Sequence, residues 1–99
     1  MADRWAPGTL EFTGHALNQM FARHIDTGAV RATVEHGETI ADYPDDWPWP
    51  SRLLLAKVDG RPIHIVLAYN ASLDTGYVVT AYEPDPALWQ PGFRQRRQT

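Results

Sequence analysis

Two histidines and an arginine carry most of the chemistry this chain can offer. His15 and Arg23 stand eight residues apart in Thr13-Gly-His-Ala-Leu-Asn-Gln-Met-Phe-Ala-Arg-His24, and His64 interrupts the apolar run Ile63-His-Ile-Val-Leu-Ala68. Imidazole moves protons near neutral pH, and a guanidinium stabilises a developing anion. Helical spacing over residues 14–24 puts His15, Gln19 and Arg23 on one face. Leu17, Met20, Phe21 and His24 then share another, with Ala16 beside them. A strand over 61–69 sets His64, Val66 and Ala68 opposite Ile63, Ile65, Leu67 and Tyr69. On a strand over 77–82, Val78, Thr80 and Tyr82 share a side, so pairing of these strands brings His64 near Thr80 or Tyr82.

The catalytic candidates are therefore His15, Arg23, His64, Thr80 and Tyr82. Each also has an ordinary structural explanation. His64 reads as a hydrogen-bonded, half-buried histidine. His15 reads as a first-turn residue bonded to the preceding loop. Arg23 reads as one half of a surface ion pair with Asp26 or an acidic residue of the next helix, worth about 0–1 kcal/mol. Other chemistries find less support. The chain has no cysteine and four histidines, none in an HExxH spacing, so no metal site is expected. No phosphate-cradling glycine loop is present, and no cofactor is expected.

The elements that must position these residues follow from turn and cap signals. Residues 1–8 read as an irregular arm, 9–90 as one domain, and 91–99 as a basic, mobile tail. Thr9–Phe12 reads as a short strand, and Thr13 caps the helix that follows. Asp26 or Thr27 caps a second helix over Ala29–His36. Gly37 is expected to end it in the left-handed conformation. Glu38–Tyr43 alternates like a strand. Pro44-Asp-Asp-Trp-Pro-Trp-Pro50 is too rich in proline for regular structure, and is expected to lie over the domain as an ordered loop, its tryptophans covering a core edge. Asp59-Gly60 between two apolar runs marks a β-hairpin. Tyr77–Tyr82 is the last strand, and Ala87-Leu-Trp89 is expected to dock back. Helices followed by a meander indicate an α+β fold, with two N-terminal helices on a three- to four-stranded antiparallel sheet.

Composition narrows the functions. Ninety-nine residues with 43% hydrophobic content suit one globular domain. The formal charge of −3 is a poor match to generic phosphate binding, which rests on Lys and Arg. No apolar run approaches a membrane span, and the first residues show no secretory signal. A cytoplasmic protein with no membrane partner is expected.

The order His15-Ala-Leu-Asn-Gln-Met20, Arg23, Gly37, Tyr43-Pro44, Ser51-Arg-Leu-Leu-Leu55, Gly60-Arg-Pro-Ile-His64, Val79-Thr-Ala-Tyr-Glu-Pro84 and Trp89 resembles the bacterial domain of unknown function 4258. The resemblance runs from about Phe12 to Trp89. It implies a distant RelE-like relation and, with it, a toxin-type, metal-independent ribonuclease. His15, Arg23, His64, Thr80 and Tyr82 are the positions it singles out. In that reading His15 and His64 are acid and base in either order, Arg23 steadies the phosphate with Tyr82 or Thr80 positioning it, and the partner is an antitoxin-like protein or RNA. The acidic, lysine-poor composition departs from typical RelE-like toxins. The alternative is a non-catalytic interaction domain whose hairpin edge or Trp-Pro loop binds a partner protein or a second copy. A toxin-derived domain that has lost activity is the third reading.

Overall fold

Both helices fall between the first two strands. β1 (Thr9–Phe12), α1 (Gly14–Arg23), α2 (Thr27–His36), β2 (Glu38–Tyr43), β3 (Ser51–Val58), β4 (Arg61–Asn70) and β5 (Thr75–Tyr82) follow in that order. The computed structural model describes residues 4–98. The strands form one sheet in the order β1-β5-β4-β3-β2. The fold is α+β, but the sheet has five strands and is mixed, not three or four and antiparallel. β1 makes the difference. It joins the edge of β5 in parallel, pairing Thr9 with Thr75 and Phe12 with Val78. A four-residue strand gives little sign of its partner, because the partner is distant in sequence.

Local chemistry sets the helix ends. The Thr13 side chain accepts from the Ala16 N–H at 3.0 Å, and Asp26 Oδ1 accepts from Ala29 N–H at 2.7 Å. α1 ends at His24, which takes the left-handed conformation (φ 55°). Gly37 closes α2 in an extended conformation (φ −69°), against the positive φ expected of it. Its need for glycine is steric: a Cβ there would lie 2.4 Å from Thr33 O and 3.0 Å from Leu55 O. The Asp59-Gly60 turn does use positive φ at both positions (51° and 81°), as a two-residue hairpin requires.

The core lies between the helices and one sheet face. Ala16 and Met20 of α1 and Val30 and Val34 of α2 meet Ile63, Ile65 and Leu67 of β4. Each fully buried aliphatic side chain contributes roughly 1.5–3 kcal/mol. The core face of α1 is rotated from the expected one: Leu17 and Phe21 are exposed, Phe21 at 87%, and so is His24. Gln19 explains the rotation. Beyond the end of β1, β5 has an uncovered edge, and Gln19 Oε1 accepts from the Ala81 N–H at 3.1 Å and from the Thr80 hydroxyl. Satisfying that edge turns the expected polar face partly toward the sheet.

A bulge in β5 changes which residues share a side. Leu67 pairs with Val78 and Val66 with Thr80, so Val79 is the extra residue. Val78 and Ala81 thereby both reach the core. Tyr77, Thr80 and Tyr82 fall opposite Ala68, Val66 and His64, on the sheet side away from the helices. The alternation read from the sequence fails past Val78 because a bulge inserts one residue and inverts the phase.

Candidate functional site

The helix-free sheet face carries two aromatic covers. One is built by the C-terminal segment over His64. The imidazole is 0% exposed and stands opposite Tyr82 across the β4–β5 pair. Nε2 lies 2.9 Å from the Phe93 carbonyl oxygen, and Nδ1 lies 3.1 Å from the Tyr82 hydroxyl. A carbonyl only accepts, so Nε2 carries the proton and Nδ1 accepts from Tyr82 O–H. Trp89 meets the His64 ring edge-on at a 4.5 Å centroid distance. Burial lowers the His64 pKa below 6.5, partly opposed by the bond to Phe93, and burial raises that of Tyr82. His64 is neutral, desolvated and fully hydrogen-bonded.

The C-terminal segment has defined structure where a mobile tail was expected. Trp89 bridges Arg96, and Gln90 N–H donates to Gln95 O at 2.8 Å. Arg97 Nε donates to Pro86 O at 2.9 Å, and Arg94 pairs with Glu38 at 2.9 Å. Basic composition alone suggested a solvated tail. The anchor is instead a backbone carbonyl, that of Phe93, which carries no sequence signal.

The five candidate residues do not gather around one hollow. His64 and Tyr82 are together beneath the C-terminal segment. Thr80 bonds Gln19. His15 and Arg23 are exposed on α1, which packs on the other sheet face, and eight residues of helix separate them by about 12 Å. Among the described residues the Arg23 guanidinium has no ion-pair partner; its backbone carbonyl accepts from Arg61 Nη2 at 3.0 Å. Arg61 also pairs with Glu83 at 3.0 Å, and so ties the end of α1 to the sheet.

The second cover is the Trp-Pro loop, and it leaves a cleft open. Trp49 stacks on Tyr77 with centroids 4.6 Å apart and planes 15° from parallel. The Pro50 carbonyl accepts from Tyr69 N–H at 3.0 Å, and Asp46 N–H donates to Tyr43 O at 3.2 Å. The Ser51 hydroxyl donates to the Asp46 carboxylate. These contacts hold both ends of the loop, yet Trp47 is 90% exposed. Trp47, Trp49 and Asp46 rim a cleft of about 320 Å³ floored by Val66, Ala68 and Val79. Trp49 covers the sheet, as expected of both tryptophans, whereas Trp47 covers nothing. Sequence reasoning expected Trp47 and Trp49 to cover a core edge, with the loop as an alternative partner-binding surface, and did not see that the bulge would put Tyr77 on the same sheet side as Thr80 and Tyr82.

A larger cleft, of about 460 Å³, separates the N-terminal segment from α2. Arg4 is committed there, donating to Gly37 O at 2.8 Å and to Val34 O at 3.2 Å at the end of α2. Among the described residues, no group of three or more His, Cys, Asp or Glu is placed to hold a metal ion. Among the described residues, no helix is long and apolar enough to cross a membrane.

Comparison with known proteins gives one match. The model of a family described as a domain of unknown function, DUF4258, covers residues 12–83. That span runs from the end of β1 to just past β5 and leaves the C-terminal cover outside it. No curated protein matches, and no solved structure matches.

Proposed function

The chain belongs to the DUF4258 family, and we propose that it is a protein-interaction domain that binds its partner through the Trp47–Trp49 cleft. The observation that carries this reading is Trp47, a large aromatic side chain 90% exposed on a loop fixed at both ends. Exposed tryptophan is costly to keep in water and is enriched at interaction hot spots. Apolar surface with a polar rim is the usual form of such a site.

The ribonuclease reading asks more of these residues. Acid and base must reach one phosphodiester, with a cation at the phosphate. His64 has both nitrogens occupied beneath Trp89, so the C-terminal segment would have to lift first. His15 and Arg23 would remain on the helix side of the sheet. The interaction reading requires no such rearrangement.

Site-specific photocrosslinking tests it. A benzophenone side chain at position 47, in cells that express the protein natively, should give one defined protein adduct. The same group at position 21, where Phe21 is 87% exposed on α1 at the other face of the sheet, should not. Equal adduct patterns at the two positions would remove the reading. RNA cleavage lost on His15→Ala would replace it with the enzyme.

A further inference from the structure

We infer that the Trp47–Trp49 cleft receives the side chain of an arginine or lysine from a basic segment of a partner protein. This rests on the interaction reading above and names the chemistry of its partner.

Charge carries the argument. Asp46 is the one charged residue lining the cleft among those described, and no Lys or Arg lines it. Asp45, exposed, adjoins it in the same loop. The Asp46 carboxylate takes a hydrogen bond from Ser51 through Oδ2, which fixes the group without neutralising it. The nearest acidic residue of β2, Asp42, is by contrast paired with Arg52 at 3.4 Å. The cleft thus keeps a net negative charge, in a chain whose formal charge is −3.

Shape agrees with charge. Arg and Lys have an apolar stem and a charged head. Val66, Ala68 and Val79 offer a floor for the stem. Asp46 can meet the head, and an indole face attracts a cation more strongly than any other side-chain ring. Trp49 has one face spent on Tyr77, which leaves Trp47 as the ring for that contact. The molecule already uses this chemistry: the Arg52 guanidinium lies 4.1 Å from the centroid of the Trp5 ring, and that of Arg96 lies 5.6 Å from the Trp89 ring. An apolar occupant would satisfy the floor and leave the Asp46 carboxylate desolvated beside it, at a cost.

Fluorescence anisotropy with labelled peptides tests the inference on the whole chain. The probes are a Gly-Arg repeat, the same repeat with citrulline for arginine, an apolar proline-rich peptide, and free arginine amide. Citrulline keeps the shape of arginine and removes its charge. The Gly-Arg repeat should bind at least about tenfold tighter than the citrulline repeat. Trp47→Ala and Asp46→Asn should each weaken it by about fivefold or more, with circular dichroism unchanged. Affinity should fall with added salt.

Equal binding of the arginine and citrulline repeats would overturn the cation proposal. If that binding, or binding of the proline-rich peptide, were lost in Trp47→Ala, the interaction reading would survive alone. Arginine amide binding as tightly as the repeat would point to a free small cation and overturn the commitment to a protein segment. Self-association lost in Trp47→Ala, without peptide binding, would assign the cleft to a second copy and overturn it too. No binding by any probe, with no self-association, would remove both the inference and the reading beneath it.

Discussion

Two tryptophan-bearing segments cover the same sheet face and do opposite things. The C-terminal one closes over His64, seats Trp89 at 7% exposure, and leaves each imidazole nitrogen partnered. The Trp-Pro loop seats Trp49 on Tyr77 but holds Trp47 in solvent above an open cleft. The histidine drew attention as chemistry, and the tryptophan as packing. Their surroundings reverse these roles. A titratable group matters to a substrate only if it can be reached, and an aromatic ring matters to the core only if it is covered.

The sharpest way to break this contrast is to remove each centre and measure stability. His64→Ala would strip Phe93 O and Tyr82 O–H of their partner and leave a cavity under Trp89. It should cost about 2–4 kcal/mol, read as a lower midpoint in urea denaturation. A loss under about 0.5 kcal/mol would mean the cover is not built on His64. Gly37→Ala tests the junction that brings α2 to β3. Its methyl group would press on Thr33 O and Leu55 O, so a loss of about 1–3 kcal/mol is expected.

Acid should act on the closed region next. The His64 pKa is lowered in the folded chain, so between that value and 6.5 the unfolded chain binds more protons. Stability therefore rises with pH across that window, levels off above it, and falls as pH drops below 6.5. Thermal midpoints at about pH 7 and about pH 5 should differ by more in the wild type than in His64→Leu. An identical difference in both would exclude this histidine as the source. Trp47→Ala should do least to stability, within about 0.5 kcal/mol, because the ring it removes is already in water.

The sequence made some of this legible and hid the rest for identifiable reasons. Thr13 and Asp26 announced the helix starts, and Asp59-Gly60 announced the hairpin, because caps and tight turns are local chemistry. The docking of Trp89 and the ordered Trp-Pro loop were also readable, since large aromatics gain by packing; Trp47, 90% exposed, is the exception. What failed was non-local. Pairing of β1 with β5, the rotation of α1 by Gln19, and the bulge at Val79 are decided by strands meeting across the sheet. The bulge alone put Tyr77 on the same sheet side as Thr80 and Tyr82. For Gly37 the residue was singled out correctly, but its reason is close backbone contact and not dihedral freedom. Of the five candidate residues, the pairing of His64 with Tyr82 could be anticipated once two strands were neighbours. The separation of His15 and Arg23 from them could not, because it depends on which sheet face receives α1.

The central claim is that the open cover meets the partner and the closed one does not. The chain has four tryptophans, and each indole N–H gives its own signal in a two-dimensional nitrogen–proton spectrum. Titration with the Gly-Arg repeat should move the signals of Trp47 and Trp49 and leave those of Trp5 and Trp89 in place. Movement of Trp89 with Trp47 unmoved would contradict the account.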